Sequence, residues 1–145
     1  MAVGLVYLDT SALTKLVVQE PETVALQAYL SRRESDRLVT SALARTELRR
    51  VALRFNARTE TSRRQAPAVM QEVTALLGRI DLVRVGAAVL DRAGMLLPAG
   101  LRSLDTLHLA TALRVGTGLR ALVAYDLRLA TAARDAGMPV AMPGA

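Results

Sequence analysis

Short apolar runs alternating with stretches of helical periodicity constrain this chain more than any other feature. The runs Val3–Leu8, Leu38–Val39, Leu82–Val85, Leu122–Tyr125 and Val140–Met142 have the length and apolar content of strands. Between them, apolar residues recur at helical spacing over Ser11–Val18, Glu22–Arg33, Ser41–Arg58, Ala68–Arg79, Ala87–Leu96, Leu104–Val115 and Arg128–Ala136. Pro21, Pro67, Gly116 and Gly137 are the expected helix ends. Strands separated by one or two helices predict an α/β/α sandwich around a mainly parallel sheet. No repeat, low-complexity tract or long linker divides the chain, and 145 residues, 52% of them hydrophobic, suffice for one core. Residues 1–145 are therefore expected to form one domain, with any ligand beyond the carboxyl ends of the strands.

Four acids stand where that rule directs attention. In LVYLDTSAL, Asp9 follows the first strand; Asp126 follows ALVAY in the same way. Parallel, neighbouring strands would bring both carboxylates to one edge, although each also suits an ordinary helix N-cap. Glu47 lies on the margin of the stripe Ala44, Leu48, Val51, Ala52 and Phe55, half-buried unless it pairs with Arg50 on the surface. Asp105 opens the almost wholly apolar helix after Ser103, a natural N-cap. An acid there complements the helix dipole, yet an ionised group at the edge of a core needs a cation or donors, and His108 is the local candidate. His108 itself reads as a hydrogen-bonded core residue.

The chain has no cysteine and one histidine, so a metal must be held mainly by oxygen. Four converging carboxylates repel one another unless a cation intervenes, and such surroundings suit Mg²⁺ or Mn²⁺. The net charge of +6 attracts phosphate-rich partners. Seven arginines (Arg45, Arg49, Arg50, Arg54, Arg58, Arg63 and Arg64) cluster in one stretch. They are candidate phosphate contacts, Arg45, Arg49, Arg50 and Arg54 foremost, or else a solvated helix face in an arginine-biased composition. Carboxylates beside a basic surface fit metal-assisted phosphodiester hydrolysis. No Walker motif, GxGxxG or zinc pattern competes. A phosphatase using Asp9 as nucleophile lacks a paired second Asp, and Lys15, the only lysine, is badly placed for it. No run is long enough for a membrane span, and Met1–Leu8 lacks the features of a signal peptide, which predicts a cytoplasmic protein.

The segments DTSAL, TSALARTEL, LRSLDTLHLATAL and AYDLRLATAARDAG, in this order and spacing, resemble the PIN-domain family, in particular the VapC-type ribonuclease toxins of bacterial toxin–antitoxin pairs. The resemblance covers nearly the whole chain. It implies a PIN-like sandwich and a Mg²⁺- or Mn²⁺-dependent endoribonuclease with catalytic and metal-binding positions at Asp9, Glu47, Asp105 and Asp126. It also implies Thr10 and Ser11 as supporting hydroxyls, an RNA substrate, a restraining antitoxin and a homodimer, to which the apolar Met95, Leu96 and Leu97 are suited. One departure is Ala124, where these proteins often carry Thr or Ser two residues before the last acid. If that change marks a decayed site, the alternative is a non-hydrolytic nucleic-acid-binding or regulatory module on the same fold.

Overall fold

The computed structural model describes residues 3–58 and 60–145, with the backbone alone over residues 60–66. Strand β1 (Leu5–Leu8) leads into α1 (Thr10–Val17) and α2 (Thr23–Ser31), then β2 (Arg37–Ser41). Helices α3 (Ala44–Asn56) and α4 (Glu60–Arg79) form the next crossover, to β3 (Asp81–Val83). After α5 (Ala87–Ala93) and α6 (Ser103–Val115), a 3₁₀ turn at Gly116–Gly118 enters β4 (Leu119–Val123), followed by α7 (Leu127–Asp135) and β5 (Val140–Ala141).

All pairings are parallel, in the order β3-β2-β1-β4-β5. β1 is central because it has nothing to show to water: Val6 and Leu8 pack with α1, α3 and α4 on one face, and Tyr7 packs with α6 and α7 on the other. Helix α5 covers part of α6 through Val89, Ala93 and Ala110. The expected α/β/α sandwich is thus the observed one. From β1 the chain first builds outward through β2 and β3, then returns to add β4 and β5 on the other side. The order reverses between β1 and β4, the position at which parallel sheets open a crevice.

Several boundaries differ from expectation. Helix α4 runs through Pro67 instead of starting after it. An interior proline costs about 3 kcal/mol, and packing along α3, with Val69, Val73, Leu76 and Leu77 buried, outweighs it. Ser41 ends β2 instead of opening α3, its hydroxyl accepting from Leu43 N at 3.1 Å. Helix α5 stops at Ala93, short of Leu96. Gly116 ends α6 at φ 79°, where a side chain is strained, in agreement with its reading as a stop. Among the described residues no helix is long and apolar enough to cross a membrane.

Candidate functional site

The reversal between β1 and β4 sets the carboxyl ends of these strands side by side, and Asp9 N–H donates to Val123 O at 3.1 Å. Asp9 caps α1: its Oδ1 accepts from Ala12 N at 3.0 Å and from Ser11 Oγ at 2.6 Å. The same Ser11 oxygen accepts from Tyr125 N at 3.0 Å, so one hydroxyl fastens the ends of β1 and β4 together. Among the described residues no protein donor reaches Asp9 Oδ2. Asp9 is only 4% exposed. Burial pushes its carboxyl above the usual range; bonds from Ser11 and Ala12 oppose this, as does His108, while the charge of Asp105 adds to it.

Asp126 does not follow its strand directly, since Ala124 and Tyr125 intervene. It caps α7 through Oδ1, which accepts from Arg128 N at 2.9 Å and Leu129 N at 3.1 Å. Its Oδ2 accepts from Arg102 Nη2 at 3.0 Å. Arg102 Nε also lies 3.4 Å from Asp105 Oδ2, so one guanidinium spans two of the four acids. Two expectations change here. Ser103 is the first residue of α6 and Arg102 holds the N-cap position. The cation beside Asp105 is Arg102, because α6 turns His108 toward other partners.

Those partners include the fourth acid. Glu47 keeps its expected place on the margin of α3, its side chain 15% exposed, and it meets His108 instead of Arg50: Nε2 and Oε1 are 2.9 Å apart. His108 Nε2 also lies 3.0 Å from Thr10 Oγ1, and Nδ1 lies 2.7 Å from the Tyr7 hydroxyl. An ionised carboxylate only accepts, which assigns a ring proton to Nε2, while Nδ1 shares a hydrogen bond with the Tyr7 hydroxyl on the other side of the ring. Burial raises the Tyr7 pKa, so that hydroxyl keeps its proton. Burial also pushes the Glu47 carboxyl upward, but bonds and charge from His108, with help from Thr10, hold it below the ordinary value. His108 is buried and hydrogen-bonded, as read from the sequence, and one of its partners is the candidate acid Glu47.

Arg102 therefore joins Asp105 to Asp126, His108 holds Glu47, and the Asp9 carboxyl feels the charges of both Asp105 and His108. The donor set suits a hard cation, and Asp9 offers an oxygen without a protein partner. Among the described residues no three acids close around a single ion, because Glu47 is turned to His108 and a guanidinium lies between the other two.

The arginines divide by helix face. Arg54 lies two turns beyond Glu47 on the same face of α3. With Arg58, Phe55, Thr10 and Ser11 it lines a cleft of about 510 Å³ beside Asp9. Arg50 is exposed near this face. Arg45 and Arg49 lie across the buried stripe, where the Arg49 guanidinium caps Arg45 O at 2.7 Å. Arg63 and Arg64 lie outside the residues whose side chains are described. Ala124 is fully buried with Tyr7 and Leu122, and its methyl group fills the core where a hydroxyl was expected.

The sequence reading missed Arg102 and Tyr7. Arg102 was detectable only as a cation three residues before Asp105. Tyr7 carried no signal beyond its place in an apolar strand.

Residues 6–135 match the family model described as PIN domain. The chain is 45% identical over 138 residues to ribonuclease VapC46 of Mycobacterium tuberculosis, covering 95% of this chain and 97% of that protein. It is 38% identical over 143 residues to ribonuclease VapC47 of the same species, covering 97% and 98%. Among solved structures, the fold matches Mycobacterium tuberculosis VapC20, described as a Sarcin-Ricin loop cleaving toxin, with TM-score 0.67 at 17% identity over 95% of this chain and 99% of that one. It also matches VapBC2 from Rickettsia felis, bound to a promoter DNA fragment, with TM-score 0.69 at 13% identity over 94% and 97%.

Proposed function

The chain belongs to the PIN-domain family, with VapC ribonucleases as relatives, and from that premise we propose that it is an endoribonuclease acting as the toxin of a toxin–antitoxin pair. It hydrolyses RNA phosphodiester bonds at Asp9, Glu47, Asp105 and Asp126, with residues 1–145 working as one nuclease domain in the cytoplasm. The observation that supports this reading is the single guanidinium of Arg102 shared by Asp105 and Asp126, with Asp9 at the end of the neighbouring strand and Glu47 held by His108, near an arginine-lined cleft.

Mg²⁺ or Mn²⁺ held by Asp9 and Asp105, with Asp126 and Glu47 completing the set, would activate water and offset charge at the scissile phosphate. The chain's own groups prepare that position. Ser11 fixes one oxygen of Asp9 and leaves the other open; His108 and Thr10 hold Glu47 ionised and oriented; Arg54 and Arg58 line the approach for RNA phosphates. Few aromatic side chains are present to stack on bases, so backbone contacts dominate RNA binding.

A small antitoxin is the proposed regulator, as in the VapBC and FitAB assemblies among the structural neighbours. A homodimer is proposed through the apolar surface that includes Met95 and Leu97, 82% and 77% exposed. The test is incubation of the purified protein with structured and single-stranded RNA in Mn²⁺, Mg²⁺ or chelator. Metal-dependent cleavage that disappears in Asp9→Asn is the expected result. RNA binding without cleavage would favour the non-hydrolytic module, the reading to which the buried Ala124 lends weight.

A further inference from the structure

The guanidinium of Arg102 touches two of the four acids and has little else to hold it. It is 68% exposed, and its residue occupies the N-cap position of α6 without making a side-chain cap bond. The oxygens it takes are significant. Asp126 spends Oδ1 on two backbone N–H groups of α7, and Arg102 takes the remaining Oδ2; at Asp105 it again lies on Oδ2. Arg102 thus occupies the oxygen that capping leaves to Asp126, together with one oxygen of its neighbouring acid. A purely stabilising role accounts poorly for this placement, since exposed pairs are each worth only about 0–1 kcal/mol.

We propose that Arg102 is the resident counter-ion of this site: it bridges Asp105 and Asp126 in the metal-free protein, and a divalent cation binds by displacing it. The proposal rests on the metal-site reading above. The exchange keeps the two carboxylates compensated at every stage, so the protein without metal avoids the repulsion that four bare acids would create. Displacement is easy because the side chain is exposed and anchored only by the charges it surrenders. The freed guanidinium stays tethered at the edge of the site, where it meets the next available anion, an RNA phosphate.

Removing a competing cation strengthens the binding of the other, which a mere surface ion pair or a structural cap would not do. Mn²⁺ titration of the metal-free protein, followed by calorimetry without RNA, compares wild type, Arg102→Ala and Arg102→Lys. Arg102→Ala should bind Mn²⁺ roughly three- to tenfold more tightly, the range that one or two exposed ion pairs supply, and should melt lower than wild type in chelator. Arg102→Lys should fall between them, because an ammonium cannot bridge two carboxylates in the planar manner of a guanidinium. Unchanged or weaker Mn²⁺ binding in Arg102→Ala, with wild type binding normally, overturns this proposal alone. Failure of wild type to bind Mn²⁺ overturns it together with the metal-site reading. If Arg102→Ala does not fold, Arg102→Lys decides: tighter binding than wild type supports the exchange, and equal or weaker binding overturns it.

Discussion

His108 and Glu47, 61 residues apart, join α6 to α3 through an Nε2–H that donates to Oε1 at 2.9 Å. The bond has direction because the opposite ring nitrogen, Nδ1, meets the Tyr7 hydroxyl at 2.7 Å, which fixes the ring so that Nε2 faces the carboxylate. A strand residue with no exposure thereby sets the orientation of an acid at the rim.

Truncating this array should be costly. His108→Ala takes one bond each from the Tyr7 hydroxyl and Glu47, which keep Thr40 and Thr10 nearby, and empties a buried site, so the loss should be roughly 1–3 kcal/mol in urea unfolding. Glu47→Gln keeps an oxygen that accepts from Nε2–H and should stay within about 1 kcal/mol of wild type, while RNA cleavage falls sharply. Equal stability losses in both variants would make Glu47 a structural residue.

Asp9→Asn preserves the acceptor for Ala12 N and Ser11 Oγ, so α1 stays capped. Cleavage should vanish and RNA binding should remain. The pH response has a definite sign. With its folded pKa raised above the unfolded value, ionised Asp9 costs stability, and metal-free wild type weakens as pH rises through that interval. The Asn variant lacks this decline. In chelator it should melt above wild type at neutral pH, with the advantage shrinking on acidification; a constant difference across pH would show that Asp9 does not titrate as its burial requires.

Charge reversal at Arg54 or Arg58, in the cleft beside Asp9, should weaken RNA binding and lower the salt slope by about one unit for each phosphate that is no longer neutralised. Reversal at Arg45 or Arg49, beyond the buried stripe, should change the slope less. Equal slopes for the two pairs would place the RNA elsewhere on the surface.

Expression of the wild-type chain alone should arrest growth, and co-expression of a cognate antitoxin should relieve the arrest. The Asp9→Asn variant should be harmless at the same protein level, measured by growth curves and immunoblotting. Toxicity equal to wild type would separate growth arrest from RNA cleavage.

Much of this arrangement was legible in the chain because it depends on local pattern. LVYL has no charged residue and had to be a central strand; Asp9 and Asp126 stand beside strand ends; Glu47 falls at the edge of an apolar stripe. For Asp9 and Asp126, capping and site membership looked like alternatives, but a carboxylate has two oxygens, and each residue uses one for the cap. What stayed hidden is tertiary. His108 had Asp105 at the right helical spacing, yet its ring meets a different helix. Arg102 is one of eighteen arginines, distinguished only by two carboxylates that the fold brings to it. Pro67 pointed to a helix boundary, and long-range packing overrode it.

The parallel pairing of β1 with β4 also governs when the site comes into being. Leu5 aligns with Leu119 and Leu8 with Val123, so the central strand waits for a neighbour more than a hundred residues downstream. Pairings between segments so distant in the chain form late, after local helices. Synthesis proceeds from the amino terminus, and a nascent chain whose β4 is still inside the ribosome has Asp9 in place but neither Val123 beside it nor Asp126 near it. Asp9, Val123 and Asp126 therefore come together only after β4 has left the ribosome. A ribosome-stalled chain ending before β4 emerges should be inactive on added RNA, whereas one stalled well beyond Ala141 should cleave it.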